Sequence, residues 1–182
     1  PTPFNHKKRM VDDSAIIESL QRLQEIKFSN IVIIKSTISP GLTEKYISKY
    51  GLKIVFNPEF LRESTTPNED FANQDTIVIG TEDVNFFDKV ENLYKQVAVE
   101  NAHYFMTTPA EAELVKCAQN TMLASRVALA NMIYDSCENL GMDYNKLRKI
   151  AFDRFEILGP HMVQVPGSDG KRGFGGKCLP KD

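Results

Sequence analysis

The first hundred residues alternate between apolar positions at helical spacing and short β-branched runs. Residues 12–28 carry apolar side chains three and four positions apart, and the β-branched run 31–34 follows directly. A helix followed by a buried strand is typical of a parallel sheet. The alternation continues and predicts further helices near 43–50 and 84–96, with strands at 53–56, 76–79 and 103–105. This order predicts one half of a doubly wound α/β sheet, a partial Rossmann-like fold.

The pattern changes near Pro109, where one long helical stretch begins. It predicts a helix over 110–140 that ends at Gly141, and then a short helix over 143–151. Apolar residues cover more than one stripe of the long helix, so we expect it to pack on both sides, including against a second copy in a homodimer. Two domains are therefore expected: an α/β domain over 1–108 and a mainly helical domain over 109–182, whose last thirty or so residues are loop-rich.

Composition and charge limit the classes of partner that we expect for the chain. Its 182 residues carry a net charge of −2 with both signs mixed, so we expect no nucleic-acid partner. The apolar runs are too short to span a bilayer, and we expect a soluble protein with no membrane partner. Three cysteines form neither a metal-binding spacing nor an even disulfide set, which favours a reducing cytoplasm and no metal. No G-x-G-x-x-G follows an early strand, so the phosphate-binding turn of a dinucleotide site is not among these residues.

The final ten residues form the most distinctive chemical motif of the chain. Cys178 follows three glycines (Gly173, Gly175 and Gly176) and precedes Lys181. Glycines let the backbone approach a ligand closely, and a nearby ammonium with exposed backbone N–H groups favours the nucleophilic thiolate. The segment predicts a reactive cysteine, and the alternative is a small apolar cysteine after a glycine-rich turn.

Two further pairs of polar residues are candidates for a catalytic site. Lys116 and Asn120 stand four positions apart on the predicted long helix, so both can reach one oxyanion. Glu59 and Glu63 follow the strand 53–56, where an α/β sheet presents its ligand-binding loops, and a carboxylate there can act as a general base. The alternatives are an ordinary solvated lysine and a pair of surface glutamates that flank Arg62.

Five blocks, in order over nearly the whole chain, resemble the UDP-glucose/GDP-mannose dehydrogenase family of nucleotide-sugar 6-dehydrogenases. They are residues 36–41, 57–64, 113–120, 165–170 and 173–182. The resemblance implies that 1–108 is the C-terminal half of an NAD-binding domain and that 109–182 belongs to the central, dimer-forming domain. It also implies that family members extend beyond both ends of this chain, so we expect a middle piece of a longer enzyme.

The resemblance assigns a reaction and a role to each candidate. The family oxidises the sugar C6 alcohol to a carboxylate with two NAD+, through a thiohemiacetal and a thioester on the residue at Cys178. The implied catalytic residues are Cys178, Lys116, Asn120, Glu59, Asp182 and Thr37. Those implied for NAD are Thr2, Ser36, Thr37, Glu63 and Lys181. Those implied for the nucleotide sugar are Glu59, Phe60, Leu61, Glu63, Lys116, Asn120, Arg154 (donated across the dimer), Gly173, Phe174 and Gly175.

Several substrates and one unrelated function remain open from the sequence. Residues 165–170 and 178–182 favour UDP-glucose, whereas 58–64 also suit a GDP-mannose enzyme, and a UDP-N-acetylmannosamine enzyme is a third choice. The alternative of another class is a non-catalytic dimerisation module built on the long helix. Because the phosphate-binding turn is not among these residues, we expect the 182-residue chain by itself to be inactive.

Overall fold

The computed structural model describes Thr2, Phe4–Asn5, Lys7, residues 10–60 and residues 66–152. Its elements in chain order are β1 (Phe4–Asn5), β2 (Met10–Val11), α1 (Ser14–Glu25), β3 (Val32–Ile34), α2 (Leu42–Tyr50), β4 (Ile54–Phe56), α3 (Pro67–Ala72), β5 (Thr76–Gly80), α4 (Val84–Tyr94), β6 (His103–Thr107), α5 (Pro109–Asn139) and α6 (Tyr144–Ala151). The chain divides into two compact units, residues 1–124 and 125–182, and α5 begins in the first and ends in the second. The expected domain division between residues 108 and 109 stays a prediction.

Each helix and strand expected from the apolar pattern is present, and two features were not predicted. The first is the antiparallel pair of β1 and β2. The second is α3, which begins at Pro67 and carries Glu69 and Asp70 in its first turn. Proline is favoured at a first helical position, and acidic residues there interact well with the helix dipole, so the local sequence suits a short helix.

The first unit contains a four-stranded sheet in the order β3-β4-β5-β6. β3 pairs with β4 in parallel, and β5 pairs with β6 in parallel. The expectation of a parallel sheet is wrong at the central junction, because β4 and β5 pair antiparallel through the single pair of Phe56 and Gly80. The apolar pattern of a buried strand is the same in either chain direction, so it does not report this reversal.

Helices cover both faces of this sheet. Ile54 and Phe56 of β4 pack in one buried cluster with residues of α1 and α2, whereas Val55 packs in a second cluster with Val90 of α4. Successive side chains of a strand point to opposite faces, so a fully apolar strand such as β4 serves two helical layers. The α/β class predicted from the sequence follows from this arrangement.

The start of α5 lies against the end of β5. A Cβ built on Gly80 would lie 2.8 Å from the Cβ of Ala112 and 3.0 Å from the Cα of Pro109. Glycine therefore permits this close approach, which sets the first turn of the long helix directly on the sheet.

The described part of the second unit is helical. The Asp143 side chain caps α6 by accepting hydrogen bonds from the backbone N–H of Asn145 at 2.8 Å and of Lys146 at 3.4 Å. Tyr134 of α5 and Tyr144 of α6 meet edge to face with ring centroids 5.4 Å apart. Among the described residues of both units, no helix combines the length and apolarity needed to cross a membrane.

Candidate active site

Polar side chains gather where β3 and β4 end. Lys35, Ser36 and Thr37 directly follow β3, and Asn57 and Glu59 directly follow β4. The backbone N–H of Asn57 donates to the carbonyl of Ile34 at 2.9 Å, which continues the parallel pairing past the strand ends. In open α/β sheets the carboxyl ends of the strands hold the ligand, so this edge is the candidate site.

A network of four side chains, here called the Lys35 cluster, lies at this edge: Lys35, Asn57, Glu59 and Tyr94. The Nζ of Lys35 donates to Oδ1 of Asn57 at 2.9 Å and to the hydroxyl of Tyr94 at 2.8 Å. The Tyr94 hydroxyl itself donates to the same Oδ1. The Lys35 ammonium also lies 3.9 Å from Oε2 of Glu59. The cluster thus links β3, β4 and α4 to the carboxylate at position 59.

Burial changes the acidity of two groups in the Lys35 cluster. Burial lowers the pKa of the Lys35 ammonium, and the negative charge of Glu59 opposes this shift in part. Burial raises the pKa of Tyr94 to about 12, with a further contribution from Glu59. Tyr94 therefore remains a neutral phenol near neutral pH and can both accept and donate within the network.

Lys116 of α5 approaches the same region. Its Nζ lies 5.6 Å from the ring centroid of Phe60, which is a cation–π distance. Burial lowers the pKa of Lys116, while its electrostatic interaction with Glu59 acts in the opposite direction. The structure therefore brings Glu59, Phe60 and Lys116 together, and their role in a shared site stays a prediction. Asn120, one helical turn further along α5, is exposed.

Glu113 fixes α5 to the start of α2. It is completely buried, and its Oε1 accepts from the Thr43 backbone N–H at 2.8 Å and from the Thr43 hydroxyl at 2.5 Å. Its other oxygen accepts from the backbone N–H of Gly41, whose φ of +86° is in the left-handed region. A carboxylate is favoured at a helix N-terminus because the N–H groups and the helix dipole both stabilise it. Glu113 thereby sets the position of the helix that carries Lys116.

Two residues predicted to contact NAD meet although they are far apart in sequence. The hydroxyl of Thr2 donates to the carbonyl of Thr37 at 2.6 Å. A cavity of about 260 Å³ beside them is lined partly by Thr2, Lys35 and Ser36. Hydroxyls at the end of a parallel strand fit the sugar hydroxyls of a dinucleotide, so the residues present are compatible with one part of NAD.

The remaining predicted site residues lie outside the described residues. They are Leu61, Glu63, Arg154, Gly173, Phe174, Gly175, Cys178, Lys181 and Asp182. Within the described ranges, no group of three or more histidine, cysteine or acidic residues is arranged to hold a metal ion.

The sequence-based reasoning missed Lys35, Tyr94 and Glu113. Lys35 has a local signal, because it is a lysine between an apolar strand and the predicted Ser36-Thr37 turn. Glu113 lies inside a block that was recognised, but its partners are 70 and 72 positions away. Tyr94 looks like an ordinary core residue at the end of an amphipathic helix, and nothing in its local sequence reports the network.

Two protein-family models match the chain in order along its sequence. Residues 1–98 match the NAD binding domain of the UDP-glucose/GDP-mannose dehydrogenase family, and residues 110–182 match its central domain. The first match confirms the prediction of NAD as the cofactor of the domain to which these residues belong.

Individual relatives match over most of this chain but a smaller share of their own length. The UDP-glucose 6-dehydrogenase of Rickettsia bellii is 31% identical over 94% of this chain and 39% of its own length. The UDP-glucose 6-dehydrogenase AglM of Haloferax volcanii is 32% identical over 85% of this chain and 37% of its own length. The chain thus spans about two fifths of the length of these relatives.

Solved structures show the same fold. A GDP-mannose dehydrogenase from Pseudomonas aeruginosa superimposes with a TM-score of 0.76 at 25% identity, over 100% of this chain and 43% of the other. A UDP-glucose dehydrogenase from Pyrobaculum islandicum gives a TM-score of 0.67 at 32% identity, over 77% of this chain and 34% of the other. Since both of its domain profiles match in order and together span most of the sequence, the chain belongs to the UDP-glucose/GDP-mannose dehydrogenase family.

Proposed function

We propose that the protein containing this chain oxidises the C6 alcohol of a nucleotide sugar to the carboxylate in two successive steps. The observation that carries the proposal is the meeting of Glu59 and Lys116 beside Phe60 at the carboxyl ends of the strands. When bound, NAD supplies the hydride acceptor for each oxidation. Thr2, Ser36 and Thr37 are the described residues that would hold it, at the end of β3.

Lys116 is proposed to stabilise the oxygen at the reacting carbon. A half-buried ammonium interacts more strongly with a developing oxyanion than a fully solvated one, because less water competes for it. Its lowered pKa also makes it a better proton-transfer partner for an alkoxide. The Asn120 amide, four positions along the same helix, is proposed as a second donor.

Cys178 is proposed as the nucleophile of the second oxidation. Its thiol adds to the C6 aldehyde to give a thiohemiacetal, and loss of a hydride from that carbon together with the proton of its hydroxyl leaves a thioester. Water then cleaves the thioester, which releases the carboxylate and restores the thiol. Glu59 is proposed to take the proton of this water, with support from Thr37 and Asp182.

The free thiols of Cys117 and Cys137 agree with the reducing cytoplasm that we propose as the location.

UDP-glucose is the proposed substrate. The relatives at about 30% identity that are named UDP-glucose 6-dehydrogenases support this choice, as do residues 165–170 and 178–182. The fold similarity to a GDP-mannose dehydrogenase supports GDP-mannose as the alternative.

A panel assay of NADH absorbance tests the function and the substrate together. The intact protein is supplied with NAD+ and with UDP-glucose, GDP-mannose or UDP-N-acetylmannosamine in separate reactions, and we expect turnover with UDP-glucose only. The variant Cys178→Ser should still bind the nucleotide sugar but lose steady turnover, whereas Cys137→Ser is the matched control. Turnover of GDP-mannose alone would overturn the proposal that UDP-glucose is the substrate. No turnover with any of the three sugars would overturn the proposed oxidation itself.

The exposed apolar side chains of α5 favour a second role, as the interface of a homodimer. In the first unit Leu114 is 57% exposed, and in the second unit Met132 is 66% exposed. Large apolar side chains repeated along one helix are characteristic of interaction surfaces. If the protein is a non-catalytic dimerisation module, it should sediment as a dimer and produce no NADH. A monomer in sedimentation velocity would contradict the dimer.

A further inference from the structure

We propose that Lys35 is a positioning residue for Glu59. Anchored by Asn57 and Tyr94, its ammonium holds the Glu59 carboxylate at the ends of β3 and β4, where that carboxylate acts on water. This inference rests on the proposed function, because it assigns a determinant of the same reaction. The contacts of Lys35 and the connections of its two anchors carry it.

The hydrogen bonds of Lys35 leave a donor for Glu59. A lysine ammonium has three N–H donors and no acceptor. Two of them are used by Oδ1 of Asn57 and the hydroxyl of Tyr94, at 2.9 and 2.8 Å. One donor remains, and the Glu59 carboxylate lies within ion-pair distance at 3.9 Å. The two fixed bonds restrict where the ammonium can move, so the carboxylate meets a charge at a defined place.

The anchors of Lys35 are themselves tied to the core of the first unit. The side-chain amide of Asn57 donates to the carbonyl of Val78 on β5 at 2.8 Å, and its backbone N–H donates to Ile34 on β3. Tyr94 is 5% exposed, and its ring stacks on Phe71 with centroids 5.7 Å apart. A group held by such packed neighbours has few alternative rotamers, which is the condition for precise positioning of a catalytic side chain.

Aromatic rings keep the positioning charge in place. The Nζ of Lys35 lies 5.5 Å from the ring centroid of Tyr94 and 5.8 Å from that of Phe71. Cation–π attraction and the negative charge of Glu59 both favour the ammonium, whereas burial favours the neutral amine. Among the residues that the structure describes, Glu59 acts on the pKa values of Lys35, Tyr94 and Lys116.

A stabilising role alone does not explain the ion pair. The Lys35 and Glu59 side chains are 35% and 40% exposed, and a pair at 3.9 Å with this exposure contributes little to folding. Its effect should therefore appear in the reaction rate. A misplaced catalytic group can lower a rate by about 100-fold even when folding is preserved.

A double-mutant cycle on the intact protein tests the inference. The variants are Lys35→Met, which removes the charge but keeps a flexible apolar chain, Glu59→Gln, and the two together. Lys35→Met should lower kcat by about 10- to 100-fold with a smaller change in KM, and the double variant should be no slower than Glu59→Gln. Lys35→Arg, which keeps a charge, should recover part of the loss. The control is Lys95→Met, which removes a lysine paired with Glu91 outside the cluster.

The outcomes separate a positioning role from a structural one. If the two losses of kcat multiply in the double variant, Lys35 acts independently of Glu59 and the inference is overturned. It is also overturned if Lys35→Met lowers kcat no more than Lys95→Met does. If Lys35→Met does not fold, Tyr94→Phe replaces it, because this change removes only the hydroxyl that accepts from Lys35.

A titration of the Lys35 amine by NMR tests the contact without any enzyme assay. Glu59→Gln should lower the pKa of Lys35 further, because the Glu59 charge raises it in the parent protein. An unchanged Lys35 titration would overturn the inference. If the parent makes no NADH with any nucleotide sugar, the proposed function fails, whereas this titration still decides whether Lys35 and Glu59 interact.

Discussion

Replacing Glu113 should destabilise the protein more than any other single change of a charged residue on the described part of α5. Glu113→Ala removes the acceptor of three donors: the buried N–H and hydroxyl of Thr43 and the partly buried N–H of Gly41. Each buried donor without a partner costs about 1–3 kcal/mol. The cost is partly offset because the carboxylate no longer has to be desolvated and the hydroxyl can rotate. The expected net loss is about 2–4 kcal/mol.

Glu113→Gln separates the charge from the shape of the side chain. The amide oxygen can keep the two bonds from Thr43, but the amide nitrogen replaces the acceptor for Gly41 with a donor. One partly buried N–H then lacks an acceptor, so the expected loss is about 1–2 kcal/mol and smaller than that of the alanine variant. Typical domains have a total stability of about 5–15 kcal/mol, so both losses are measurable.

Urea unfolding followed by far-ultraviolet circular dichroism measures both losses. The matched control is Glu138→Ala, an exposed glutamate on the same helix, which should change the free energy of unfolding by less than about 0.5 kcal/mol. The slope against urea should remain unchanged, since the folded state is the same. If the free energy of unfolding falls no more in Glu113→Ala than in Glu138→Ala, the carboxylate does not hold α2 and α5 together, and the reasoning is refuted.

Two other predictions concern packing and pH. Gly80→Ala should cost about 1–3 kcal/mol, because the new Cβ lies 2.8 Å from that of Ala112, and the added change Ala112→Gly should recover part of it in the same urea assay. An undiminished stability of Gly80→Ala would mean that α5 does not approach β5 this closely. The pKa of Tyr94 is raised from 10.0 to about 12, so the folded state retains a proton that the unfolded state releases between these values. The stability that this group contributes is fully present below pH 10 and is lost as the pH rises to about 12. Tyr94→Phe should show a shallower loss of stability in that window, and an equal slope in both proteins would argue against the buried phenol.

The elements that the sequence predicted well are those with a strong local pattern. The β-branched runs at β3 and β5 and the helical spacing of α4 bury their apolar faces, so their pattern is visible in a few adjacent residues. The sequence did not predict α3 because its six residues carry few apolar positions. It did not predict the antiparallel pairing at Phe56 because the direction of a strand depends on the path of the connection that precedes it.

The candidate site divides in the same way. Glu59 could be proposed as a site residue because it follows a predicted strand, and the carboxyl end of a strand is a place that sequence can locate. Thr37 was proposed because residues 36–41 resemble the family. Lys35 and Tyr94 are 59 positions apart, and their hydrogen bond exists only because the sheet brings β3 and α4 together. Contacts of this kind depend on topology and packing, which a local pattern does not contain.

The number of NADH molecules formed per nucleotide sugar tests the central claim most directly. The intact protein is given limiting UDP-glucose and excess NAD+, and the final NADH absorbance is compared with the sugar consumed. We predict two NADH per sugar with the uronic acid as the product, since Cys178 carries the aldehyde through the second oxidation. One NADH per sugar with release of the aldehyde would contradict the thioester route, and the absence of NADH would contradict the proposed activity itself.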